Sequence, residues 1–148
     1  MTNRFHLAIS AGNLEAAINF YCDILGCTKG NSEVNSTDSW VDINFWGNEL
    51  TLHATDSKQI DDLELHSVDM GEVIVPHFGV HLSLEEFTNL KQRIENANIA
   101  YVSTPHIRFS GTDLEQETMF IKDTHCNILE IKTMKNPDAL FKKMRKKK

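Results

Sequence analysis

The segment VPHFGVHLS, residues 75–83, opens an alternating strand pattern at His77, and FHLAIS, residues 5–10, opens another at His6. Imidazoles at matching positions of two strands suit a metal centre, because the neutral ring nitrogen is a good ligand for divalent ions. A third ligand type stands in DTHCNILEIKT, where Glu130 interrupts an apolar strand and shares a face with Ile128 and Lys132. An ionised carboxylate on a partly buried strand is costly unless it is paired or bound to a cation. A cation held between Glu130 and the two imidazoles removes that cost. Two histidines and one carboxylate leave about three positions of an octahedral ion for water, substrate or dioxygen.

An internal repeat links His6 to His77. With an offset of 71, His6 lies over His77; with 70, Leu14, Ala17, Phe20, Ile24 and Cys27 lie over Leu84, Phe87, Leu90, Ile94 and Ala97. In the first half FHLAIS predicts a strand. Asn13 then caps a helix whose apolar positions Leu14, Ala17, Ile18, Tyr21, Cys22 and Leu25 follow the 3.6 period and end at Gly26. After a polar stretch over 28–38, SWVDINFWGNELTLHA reads as two strands about a turn at Gly47 and Asn48. In the second half HFGVHLS begins a strand and LEEFTNLKQRIENAN a helix, and IAYVSTPHIRF, QETMFIKD and NILEIKT supply three more strands.

The expected fold class is therefore α+β, with two tandem βαβββ modules pairing into curved mixed sheets around a central cleft. Module 1 spans about 4–55 and module 2 about 75–134, with a linker over 56–74. Pro137 opens a short C-terminal helix, and the basic tail KKMRKKK completes a single domain over 1–148.

Composition narrows the function classes. No run approaches the ~20 apolar residues of a membrane span, and the N-terminus lacks a signal-peptide pattern, so a cytoplasmic protein without membrane partners is expected. Cys22, Cys27 and Cys126 have no CxxC spacing and read as reduced thiols. The net charge is -6 although the tail alone carries six positive charges, so the body is strongly acidic and unsuited to nucleic acid. The tail itself reads as a solvated block.

Around the three ligands the repeat aligns Asn48 with Asn127 and so sets Thr51, a poor ligand, against Glu130. Thr51, Asp42, Asn44, Thr118 and Phe120 are the candidate substrate-binding residues; Asp42 and Asn44 alternate with Val41 and Ile43 and face either the pocket or solvent. His53 shares the face of Thr51, and an imidazole suits general-base work near neutral pH. Arg108, in HIRFSG, can balance an anionic substrate or a developing enolate. His81 lies roughly 13 Å along the strand from His77 and reads as structural or pocket wall. Ser10 and Cys126 have no base-orienting partner, which argues against nucleophilic catalysis.

FHLAISAGNLEAAINFYCDILGC, followed by PHFGV, RFSG, QETMF and DTHCNILEIK, resembles the vicinal oxygen chelate superfamily over residues 5–141. That group includes glyoxalase I, extradiol ring-cleaving dioxygenases, and fosfomycin and bleomycin resistance proteins. WVDINFWG with PHFGV and RFSG is most similar to the extradiol-dioxygenase-like branch. The resemblance implies metal ligands at His6, His77 and Glu130 and a homodimer. It also implies an enzyme that uses Fe(II) or Mn(II), with zinc or nickel as alternatives, to oxidise or cleave a small substrate chelating through adjacent oxygens. Glyoxalase I takes a further ligand where this chain has Thr51, and Asn48 and Glu49 stand where relatives of the branch more often carry a His-Gln pair. Two other functions stay open. One is isomerisation, lyase chemistry or glutathione transfer of the glyoxalase I or fosfomycin-resistance type, and the other is non-catalytic binding as in bleomycin resistance.

Overall fold

The computed structural model describes residues 3–35, 38–56, 64–68 and 71–143. Two four-stranded sheets share one strand order. The first contains β1 (His6–Gly12), β2 (Thr28–Glu33), β3 (Trp40–Phe45) and β4 (Asn48–Ala54), ordered β1-β4-β3-β2. A small antiparallel hairpin of β5 (Glu64–Val68) and β6 (Gly71–Val75) follows. The second sheet contains β7 (Phe78–His81), β8 (Ser103–Arg108), β9 (Gln116–Lys122) and β10 (Ile128–Met134), ordered β7-β10-β9-β8. In both sheets the first strand pairs parallel with the last and the remaining pairs are antiparallel. These are the paired βαβββ modules that the repeat predicts. The duplication extends to register, since Ala8 lies opposite Thr51 and Gly79 opposite Glu130.

The helices start at equivalent places for the same reason. The Asn13 side chain accepts from the backbone N–H of Ala16 at the head of α1 (Leu14–Ile18). Ser83 does so from Glu86 at the head of α2 (Leu84–Asn96), with Glu86 returning the bond as a capping box. The first helix departs from the expected 3.6 period, because Asn19–Ile24 is a wider π turn in which Leu25 N–H donates to Phe20 O at 2.9 Å. The wider turn lets consecutive residues Phe20 and Tyr21 both enter the core.

Three further expectations change. The polar stretch after the first helix contains β2, exposed along its length, since an edge strand needs backbone bonds on one side and no apolar pattern. The 56–74 linker carries the β5–β6 hairpin. The C-terminal helix is a single 3-10 turn, Pro137–Ala139. The basic tail from 144 onward lies outside the described residues.

Val41, Ile43, Leu50 and Leu52 from the first sheet, and Met119, Ile121, Leu129 and Ile131 from the second, meet with Tyr21, Phe87 and Ile94 in one contiguous core. Because side chains alternate along a strand, the opposite faces, bearing His6 and Thr51 on one sheet and Glu130 on the other, turn away from that core. Polar bonds tie the halves together. Tyr21 Oη donates to Asp123 Oδ2 at 2.7 Å, and Asp123 also accepts from the backbone N–H groups of His125 and Asn127 and from Asn127 Nδ2. Asn127 Nδ2 reaches Ser10 O as well, crossing between the modules. Among the described residues no helix is long and apolar enough to cross a membrane.

Burial, then the neighbouring Asp123, pushes the Tyr21 phenol well above its usual 10.0. A group whose pKa is higher in the folded state contributes stability that is complete below the unfolded pKa and is lost as pH rises beyond it. Tyr101 and Cys27, both raised to about 12, act in the same direction. Tyr21→Phe is expected to cost about 1 kcal/mol at neutral pH. It should also flatten, without abolishing, the loss of stability above pH 10. Urea unfolding of both proteins across that range checks the pair of outcomes.

Candidate metal centre

Glu130 occupies the middle of β10, in a row with Gly79 of β7 and Phe120 of β9. It is 6% exposed. Any side chain at Gly79 would collide with the backbone carbonyl of Glu130, so glycine is required where β7 passes this point. The carboxylate is held from two sides: Thr118 Oγ1 donates to Oε2 at 2.6 Å, and Oε1 lies 3.2 Å from His77 Nε2. His77 stands just before β7, its ring edge-on to Phe120 with centroids 5.2 Å apart.

His77 Nδ1 lies 2.7 Å from the carbonyl oxygen of Ile74. A carbonyl only accepts, so Nδ1 carries the proton of that bond. Nε2 then faces a carboxylate oxygen, and two lone pairs at this separation need a cation between them, a proton on Nε2 or a metal ion. The donor chemistry fits a divalent ion: an imidazole oriented through its far nitrogen and a carboxylate oriented by a hydroxyl are the usual supports of metal ligands.

His6 has a similar arrangement on the other sheet. Its Nδ1 lies 2.7 Å from Glu49 Oε1, with both side chains about half exposed. The carboxylate accepts from Nδ1, which leaves Nε2 for another ligand. The structure does not bring His6 to His77 and Glu130. Among the described residues no group of three or more His, Cys, Asp or Glu side chains is placed to hold a metal ion. The reason lies in the packing, since the apolar faces of both sheets are spent on the shared core and the histidine-bearing faces are turned outward.

The remaining predicted residues divide. Thr118 and Phe120 stand against Glu130 and His77 as described. Thr51 Oγ1 donates to Asp42 Oδ1 at 2.7 Å, so these two meet on the open face of the first sheet. Asn44 Oδ1 accepts from Gly47 N–H at 2.8 Å and closes the β3–β4 turn. His53 is exposed, in the row of Ser10 and Trp40. Arg108 shares the face of Glu130 but lies in the row of Gln116, four residues along β9 from Phe120, which is roughly 13 Å along the strand. Its guanidinium sits over the Phe109 ring, 4.9 Å from the centroid. A groove of about 1030 Å³ between α1, β2 and β3, lined by Asn13, Ile18, Lys29 and Val41, holds none of these residues.

Sequence reasoning gave no site role to Glu49 or Lys132 and read His81 as structural or pocket wall. Glu49, visible only as a departure from relatives, orients His6. Lys132 lies 3.5 Å from Glu130 Oε1; its place two residues along the strand was the available signal. His81 lies opposite Lys132. Burial lowers its pKa, Lys132 lowers it further and Glu130 opposes them, so His81 belongs to the electrostatic surroundings of the carboxylate.

Duplicated βαβββ sheets of this order are the fold of the vicinal oxygen chelate superfamily. Residues 4–131 match the family model described as Glyoxalase/Bleomycin resistance protein/Dioxygenase superfamily, and the chain belongs to that superfamily. Its structure is similar to a glyoxalase/bleomycin resistance protein/dioxygenase from Alicyclobacillus acidocaldarius, with 28% identity, a TM-score of 0.71, and coverage of 94% of this chain and 96% of that one. The fold is also that of the genomically encoded fosfomycin resistance protein FosX from Listeria monocytogenes, at 15% identity and TM-score 0.68, covering 95% and 99% of the two chains. A variant of FosX complexed with Mn(II) and 1S,2S-dihydroxypropylphosphonic acid aligns at 14% identity and TM-score 0.63, covering 88% and 91%. A search of curated proteins returns no match.

Thr118→Val removes the hydroxyl that satisfies Glu130 Oε2, and is expected to destabilise the fold by about 1–3 kcal/mol. Thr118→Ser should recover most of the loss in chemical denaturation.

Proposed function

We propose that the protein is a metal-dependent enzyme of dioxygenase-like type, acting on a small substrate that chelates the metal through adjacent oxygens. Each centre is built by two copies, His77 and Glu130 from one and His6 from the other. The observation that carries this reading is the 3.2 Å approach of His77 Nε2 to Glu130 Oε1 while His77 Nδ1 is committed to a carbonyl. A two-fold between copies would set the outward His6 face against the outward Glu130 face twice over, giving two equivalent centres per dimer.

A divalent ion bound there, Fe(II) or Mn(II) with zinc or nickel as alternatives, supplies Lewis-acid polarisation of the substrate oxygens and, for iron, chemistry with dioxygen. Thr118 and the Ile74 carbonyl hold the ligand atoms of Glu130 and His77 in place. Glu49 orients His6. The hydrogen-bonded Asp42–Thr51 pair and Phe120 form walls that fix the substrate. His53 receives a substrate proton on a ring nitrogen, and Arg108, farther along the second sheet, meets an anionic end.

A second reading is a non-redox isomerase, lyase or glutathione transferase. It is favoured by the fold shared with FosX, whose Mn(II) complex holds a ligand with two adjacent oxygens. Oxygen uptake separates the two: an Fe(II)-loaded sample that never consumes dioxygen with catechols or enediols leaves only the second.

Protein purified without chelator is expected to hold about one divalent ion per chain, and Glu130→Ala to weaken binding by at least about a hundredfold. His6→Ala should weaken it as well. Mixing the two variants rebuilds one intact centre per heterodimer, so binding should return in the mixture. Full metal affinity in a strictly monomeric protein would rule out the shared centre, and retention of stoichiometric metal by Glu130→Ala would rule out the metal reading.

A further inference from the structure

The oxygen of Glu130 that faces His77 has a positive group beside it. Lys132 is two residues along β10 and on the same face, between His81 of β7 and Thr118 of β9. Its Nζ lies 3.5 Å from Glu130 Oε1, the atom that stands 3.2 Å from His77 Nε2. Oε2 is engaged by the Thr118 hydroxyl, so Oε1 is the oxygen left for a ligand. The Lys132 side chain is 26% exposed and that of Glu130 7%. At such burial the ammonium and the carboxylate interact more strongly than a surface pair, because less water screens them.

A divalent ion on Oε1 and Nε2 would sit within a few ångströms of this ammonium. Like charges so close cannot keep the arrangement unchanged. Four methylene groups give Lys132 the reach to swing its head toward solvent, as partly exposed lysines do.

On the basis of the metal reading above, we propose that Lys132 is the internal counter-cation of the centre: its ammonium holds the place of the metal's charge beside Glu130 and is displaced when a divalent ion takes Oε1. Lys132 is thus a positioning residue that sets metal affinity through Glu130, and each binding event includes breaking the Lys132–Glu130 pair. Metal occupancy is held below what the bare ligand set would reach.

The test is calorimetric titration of the full chain with Mn(II). Lys132→Met keeps the stem and removes the charge, and Lys132→Gln serves as a second neutral variant should the first fold poorly. Both are expected to bind Mn(II) about tenfold or more tightly than the unsubstituted protein, with the charge repulsion gone. Lys132→Arg keeps the charge and should bind as the unsubstituted protein does, whereas a merely structural contribution of the lysine stem would leave Lys132→Met binding unchanged as well. Equal or weaker binding by the neutral variants, with the unsubstituted protein still taking up metal, overturns the role of Lys132 and leaves the metal centre standing. Absence of Mn(II) binding in every protein overturns the metal reading and this inference with it.

Discussion

A carboxylate with 6% exposure in the middle of β10 constrains the structure around it. Water cannot solvate Glu130 there, so the protein surrounds it with polar groups from three places: the Thr118 hydroxyl on β9, His77 ahead of β7 and the Lys132 ammonium on β10 itself. All three depend on strand register. A slip of one residue in β10 would send Glu130 into the core beside Met119 and bring Leu129 or Ile131 to the polar face, exchanging a satisfied charge for an unsatisfied one. The apolar alternation on one face and the charge compensation on the other therefore enforce the same alignment.

The first sheet shows the same architecture without that burden. Thr51 takes the position of Glu130, opposite Ala8 as Glu130 is opposite Gly79, and its hydroxyl is satisfied by Asp42. Its one carboxylate beside Thr51, Asp42, is only half-buried, and His6 and His53 are exposed on this face. Duplication has produced two sheets with different electrostatic duties: one compensates a carboxylate, and the other presents an oriented imidazole to whatever approaches from outside.

How far the sequence could reach follows from which signals are local. Strand alternation and the offset of the repeat are local, so the βαβββ order and the shared face of Ile128, Glu130 and Lys132 could be read directly. The repeat linked His77 to His6, and Glu130 stood out as a carboxylate in an apolar strand. His6 was harder, because each module has one apolar and one polar face and alternation does not say which faces meet. Phe45, which packs against Tyr21 in its own half, meets Phe78 of the other half with ring centroids 5.7 Å apart, and contacts of this kind leave no periodic trace. The π turn was hidden for a related reason, since Phe20 and Tyr21 satisfy a 3.6 pattern only one at a time. Asn44 looked like a residue of the open face, but a side-chain amide three positions before a glycine can as readily close a turn.

The outermost strand of the first sheet bears on how copies can meet. β2 ends the sheet with a row of backbone groups that could template a further strand, yet its pairing with β3 shifts register between Lys29 and Ser32. Such an irregularity twists the edge, and Lys29 places a charge on it, which are two ways in which proteins discourage ribbon-like polymerisation. With lateral growth blocked at this rim, encounters between molecules are steered toward broad surfaces, where shape and charge rather than unsatisfied amides decide which ones persist.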